Sequence, residues 1–219
     1  MRYCLLCFSL LLLTSVRAQR YLGDEAACLT RYDSLARAAM AANEVDQSHR
    51  YQGDSIRSCF LGERVPVGEL VTIDGDTVGL GERDRPYVLY FTASWCGPCV
   101  SNTEALNVVL DSLAPAVDVI VLSWDQPEYF AENRGDYHRD LSLIPSRNGK
   151  NEAAEVINGP LKHTIGFPSV YTVNSDQAVV GFQRGASMPM ELPDGRVISA
   201  EEAVQQNVGR WVKLLEGLE

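Results

Sequence analysis

Residues 87–123 constrain the fold of this chain more than any other stretch. "YVLYF" (87–91) and "VDVIVLS" (117–123) are continuous apolar runs of strand length, the pattern of parallel strands covered on both faces. Between them, residues 100–114 carry Leu106, Val109, Leu110 and Leu113 on one side and stop before Pro115, which predicts a helix. Strand, helix and strand make a βαβ unit, so the chain must build a parallel sheet with a helix packed on it. The turn that enters this helix reads "WCGPC" (95–99).

A thiol is a nucleophile only as its thiolate, so the position of Cys96 matters. It lies where strand feeds helix, and the unpaired N–H groups and macrodipole of a helix N-terminus favour negative charge there. The spacing points Cys96 outward beside Trp95 and sets Cys99 one turn in, partly covered and within reach of the Cys96 sulfur. Gly97 and Pro98 keep the turn compact, and proline suits the first helical turn. Such a pair serves disulfide exchange: Cys96 attacks, and Cys99 resolves the mixed disulfide. Zinc would need four ligands. His49, His138 and His163 are scattered, and Cys28 and Cys59 are not spaced as a second chelating pair, so no metal or other cofactor is expected. A purely structural staple fits poorly with an accessible turn at a helix start.

"WCGPC" after an apolar strand and before a helix resembles thioredoxin, and "TIGFPSVYTV" resembles the thioredoxin segment in which a cis-proline opens the strand facing the dithiol. The resemblance implies an α/β thioredoxin fold, a central mixed sheet flanked by helices, over residues 63–219. It makes Pro168 the cis-proline, with Phe167 before it offering backbone groups to an extended substrate; an ordinary trans, strand-starting proline is the alternative. A β-hairpin ahead of the redox strand and a central helix-and-strand insertion are similar to exported TlpA-like thiol–disulfide oxidoreductases. Those relatives imply exported protein partners with disulfides, a membrane electron donor and a periplasmic setting. One departure stands out. Thioredoxin has a buried aspartate six residues before the first cysteine, and here that residue is Tyr90. With a pKa near 10 a tyrosine is a poor base, so Tyr90 fills the core edge or acts as a hydrogen-bond partner. Asp125, at the end of the next strand, reads as a solvated helix-entry residue, with a substitute proton acceptor as the alternative.

The remaining segments fill in around this centre. "MRYCLLCFSLLLLTSVRAQR" has a positive start, 13 mostly apolar residues and a small-residue cleavage site after Ala18, which predicts a signal peptide over 1–18. Its removal leaves four cysteines, an even count suited to an oxidising compartment. Residues 19–62 form a helical extension, a hairpin with one cysteine on each helix and a break near 43–47. A Cys28–Cys59 disulfide is the preferred reading there; free thiols or redox partners of Cys96 are the alternatives. The hairpin carries no recognisable motif and either covers the following domain or binds a partner. "ELVTIDGDTVGL" predicts a β-hairpin, followed beyond the βαβ unit by helices near 127–139 and 150–158, a short strand "LSLIP" between them, and an antiparallel pair "SVYTVN" and "AVVGFQ". A last helix is capped by Ser199 and Glu202. The net charge of −10, with no basic cluster, argues against nucleic acid. Gly-Pro between the cysteines resembles reductases more than strong oxidants, so reduction of the disulfides of exported proteins is the preferred reading; a thiol oxidase or isomerase, or a non-catalytic binding or chaperone module, are the alternatives. A peroxidase is disfavoured, since no lone cysteine follows a Thr-x-x pattern.

Overall fold

The computed structural model describes residues 20–113, 117–146, 156–163 and 165–218. The expected signal peptide lies outside the described residues. Two helices come first, α1 (Ala26–Ala41) and α2 (Val45–Cys59). They are followed by strands β1 (Gly68–Val71) and β2 (Thr77–Leu80), an antiparallel hairpin turned at Gly75. The βαβ unit is β3 (Tyr87–Thr92), α3 (Gly97–Leu113) and β4 (Asp118–Ser123), with β3 and β4 parallel. Next come α4 (Pro127–Glu132), β5 (Ser142–Ile144), and the hairpin β6 (Val156–Asn158) and β7 (Leu161–His163). The chain closes with β8 (Ser169–Val173), β9 (Val179–Arg184), the small hairpin β10 (Met190–Glu191) and β11 (Val197–Ile198), and α5 (Ala200–Glu216). The main sheet has the order β5-β4-β3-β8-β9: β5, β4 and β3 are parallel, and β8 and β9 run antiparallel to their neighbours.

Every residue of β3 is buried, because both faces of the sheet are covered. Val88 and Tyr90 point into a core shared with Leu106 and Val109 of α3 and with Trp211 and Leu215 of α5. Leu89 and Phe91 point the other way, into a core that contains Phe60 at the end of the helical hairpin. Phe60 stacks on Phe182 at 4.7 Å and tilts against Tyr171, so the α1–α2 hairpin is seated directly on the sheet. Cys28 and Cys59 are joined as a disulfide across it. In α5, the Ser199 hydroxyl accepts the Glu202 N–H, and Trp211 Nε1 donates to the Asn102 carbonyl, tying α5 to α3.

Two local readings are corrected. The helix expected near 150–158 is not there over its described part: 156–158 are strand β6, and 147–155 lie outside the described residues. The Gly159–Pro160 pair closes a two-residue hairpin loop, with Gly159 at φ +59°, and this turn chemistry outweighs the helix formers before it. The helix expected over 127–139 ends at Glu132 and gives way to a single 3₁₀ turn. There the Arg134 guanidinium donates to the carbonyls of Tyr137, His138 and Arg139. In α1 the buried stripe runs through Ala36 and Ala39, while Ala27, Ala38 and Ala42 face solvent.

Candidate active site

The dithiol sits at the joint between β3 and α3. Cys96 caps the helix: its carbonyl accepts the N–H groups of Cys99 (2.9 Å) and Val100 (3.3 Å), and its own N–H reaches back to Ala93. Gly97 and Pro98 form the first turn, which leaves the helix N–H groups directed at the sulfurs' end. Cys96 and Cys99 are bonded to one another. Cys96 keeps 5 % of its surface exposed and Cys99 1 %, so the first cysteine is recessed rather than turned outward as expected. The cover comes from Trp124 and Phe167, which pack against the pair; Trp95, itself 62 % exposed, is set edge-on to both rings.

The Phe167–Pro168 peptide bond is cis, and Pro168 is buried. Residues 166–167 precede the β8 ladder, which begins at Ser169, so their backbone pairs with no strand among the described residues. This bend is held from beneath by His163. Its Nε2–H donates to the Gly166 carbonyl at 2.9 Å, the Tyr171 hydroxyl faces Nδ1 at 3.4 Å, and its ring stacks on Phe91 at 4.1 Å. Burial lowers the His163 pKa to about 4. An unfolded chain would protonate near 6.5. Between these values the unfolded state therefore binds more protons than the native one, and stability falls as pH drops from about 6.5 to about 4. The loss over the full window is about 3 kcal/mol, readable as a shift in urea midpoint between pH 7 and pH 4. A His163→Phe variant, which stacks but does not titrate, should be slightly less stable at pH 7 and lose this slope; an unchanged slope would assign it to other groups.

Tyr90 lies in the middle of β3, fully buried, with its ring edge-on to Trp211 at 5.6 Å. Its hydroxyl donates to the Cys99 carbonyl at 3.2 Å and meets Thr103 Oγ1 at 3.0 Å. Burial raises its pKa further, so it braces the first turn of α3 and does not accept a proton. Asp125 is the larger surprise. Instead of a solvated helix-entry residue it is buried, and it fastens the dithiol loop to the end of β4. Its carboxylate accepts the Ser94 N–H (2.9 Å), the Ser94 hydroxyl (2.7 Å) and the Ser123 hydroxyl (2.7 Å). Asp125 and Cys99 line the same cavity of about 420 Å³, together with Thr103, Glu104 and Tyr137.

Other residues of the site carried no signal that the motif reading used. Asn207 of α5 is completely buried and holds Ser187 by both backbone groups, at 2.9 Å each, while Ser101 Oγ donates to the same Ser187 carbonyl. This pins the loop after β9 beside the dithiol turn and brings Met188 near Gly97. A polar residue on the apolar stripe of a helix was the sign available. Among the described residues, no three His, Cys, Asp or Glu converge as a metal site.

No family model matches the sequence. Tryparedoxin of Trypanosoma brucei brucei is 29% identical over 112 residues, which are 49% of this chain and 73% of that protein. Probable nucleoredoxin 1 of Arabidopsis thaliana is 29% identical over 121 residues, 54% of this chain but 18% of the relative, so most of that protein has no counterpart here. Among solved structures, a thio-disulfide isomerase from Thermus thermophilus covers 73% of this chain and 98% of its own at 22% identity, with a TM-score of 0.45. A sheet of this order, with a paired Cys-x-x-Cys capping the helix after its central strand, is a thioredoxin-like fold, and the chain is a thioredoxin-like disulfide oxidoreductase whose active-site disulfide is Cys96–Cys99.

Proposed function

We propose that the protein is exported and reduces disulfides of other exported proteins by dithiol exchange. The observation that carries this is the asymmetry of the pair: Cys96 caps α3 and is the less covered sulfur, and Cys99 lies beneath it. In the reduced enzyme the Cys96 thiolate attacks one sulfur of a substrate disulfide. That S–S bond breaks, a mixed disulfide forms, and the departing thiolate takes a proton from solvent. Cys99, once deprotonated, attacks Cys96 Sγ, forms the Cys96–Cys99 bond and releases the second substrate thiolate. Two electrons have passed to the substrate, and a thiol donor at the membrane restores the dithiol. Asp125 is the acceptor for the Cys99 proton, through the cavity they share, which has room for bridging water. Tyr90 leaves that role vacant. The backbone at 166–167, which joins no strand ladder, receives the substrate chain alongside Trp95.

Export is supported by the leader-like 1–18 segment and by the Cys28–Cys59 disulfide. No helix among the described residues is long and apolar enough to cross a membrane. The direction of electron flow rests on the Gly-Pro pair between the cysteines. Equilibration of the Cys96–Cys99 couple against glutathione tests it: a potential near the roughly −270 mV of thioredoxin is expected, and one near −120 mV, that of a strong oxidant, would reverse the assignment.

A further inference from the structure

Gly53 occupies the interior of α2, exposed, with ordinary helical geometry and nothing within 4 Å of where a Cβ would stand. Glycine there costs about 1 kcal/mol against alanine, and no neighbour in this chain requires it. What a side chain would meet is a groove. Gly53 lines it with Tyr32 and Ile56 on the hairpin side, and Trp95, Phe167 and Arg184 form the opposite wall. The groove measures about 1410 Å³, above the roughly 300–1,000 Å³ typical of small-molecule sites. It is continuous with the aromatic collar over Cys96, since Trp95 and Phe167 belong to both. Its outer wall is fixed in place, because the Cys28–Cys59 bond closes the hairpin and Phe60 anchors it on the sheet.

We infer that the α1–α2 hairpin is the outer wall of a polypeptide-binding groove, occupied by the extended segment that flanks the cysteine of a disulfide-bonded protein substrate. This rests on the proposal that Cys96–Cys99 exchanges with protein disulfides, and it assigns the hairpin the selection of those proteins. The size of the groove favours a chain segment over a small thiol, and the missing side chain at Gly53 leaves the space such a segment needs.

The test is a Gly53→Trp variant of the full chain, with Gly53→Ala as control; both substitutions suit a helix interior better than glycine. Each is assayed with dithiothreitol as reductant on insulin and on bis(2-hydroxyethyl) disulfide, above the uncatalysed rates. Gly53→Trp should lower kcat/KM for insulin at least about tenfold while leaving the small disulfide within about twofold, and Gly53→Ala should change neither. Unchanged insulin reduction, or an equal fall on both substrates, would overturn the groove. Wild-type turnover of the small disulfide without insulin would replace the polypeptide by a low-molecular-weight thiol compound. Wild-type failure on both would overturn the proposed disulfide reduction itself, and the groove with it.

Discussion

Replacing Cys96 by serine is expected to abolish disulfide reduction, a loss on the order of a thousandfold or more. The hydroxyl stays protonated at neutral pH, and the helix N-terminus that favours a thiolate at this cap cannot make an alkoxide of it. Cys99→Ser should behave differently. Cys96 still attacks, but nothing beneath it resolves the product, so the variant accumulates a mixed disulfide that mass spectrometry reads directly. The two variants separate the roles that burial suggests, since Cys99 is covered by its neighbours and no substrate sulfur reaches it first. Asp125→Asn completes the series: first attack should persist, and release from the mixed disulfide should slow by about tenfold. Full disulfide reduction by Cys96→Ser would mean that Cys96 is not the attacking thiol. Full resolution in Asp125→Asn would leave Asp125 as a fastener of the Ser94 loop alone.

The parts of the fold legible in the sequence were those specified by neighbours in the chain. "YVLYF", the Cys-x-x-Cys turn and the helix after it are local signals, and together they imply the βαβ unit and the place of the dithiol. The Ser199 cap and the apolar stripe of α5 are equally local. Misreadings arose where a contact distant in sequence decides. Asp125 looks like a polar loop residue until Ser94, 31 positions earlier, folds against it and shuts out water. Asn207 looks like a flaw in an apolar stripe until the Ser187 backbone arrives to satisfy it. The 156–163 hairpin failed for a different reason. "NEAAEVI" is rich in helix formers, but the short Asn-Gly-Pro turn reverses the chain at 158–160 and sets a hairpin. The β10–β11 hairpin is likewise set by a short turn, at Asp194–Gly195. For Tyr90, the residue type excluded a base, but only the fold reveals that its hydroxyl braces the Cys99 carbonyl.

The largest stability change should follow from the double variant Cys28→Ser, Cys59→Ser. The bond spans a sequence separation of 31 residues, and in the chain-entropy description a loop of that length is worth about 3–4 kcal/mol. Apart from the Phe60 anchor the hairpin has little to hold it: Ala36 and Ala39 are the buried apolar residues of α1, and Leu29 and Tyr32 are only half-covered. For a chain of this size such a loss lowers Tm by roughly 7–15 °C. Both cysteines are replaced together because a single free thiol could exchange with the Cys96–Cys99 pair. Because Phe60 and Cys59 lie in the same core as Phe91 and Tyr171, the hairpin and sheet should still melt in one transition, displaced as a whole. A thermal melt followed by circular dichroism separates the outcomes. A shift below about 1 kcal/mol would mean that the Phe60 anchor alone secures the hairpin. A separate early transition would mean that the disulfide holds the wall of the groove to a sheet that is stable without it.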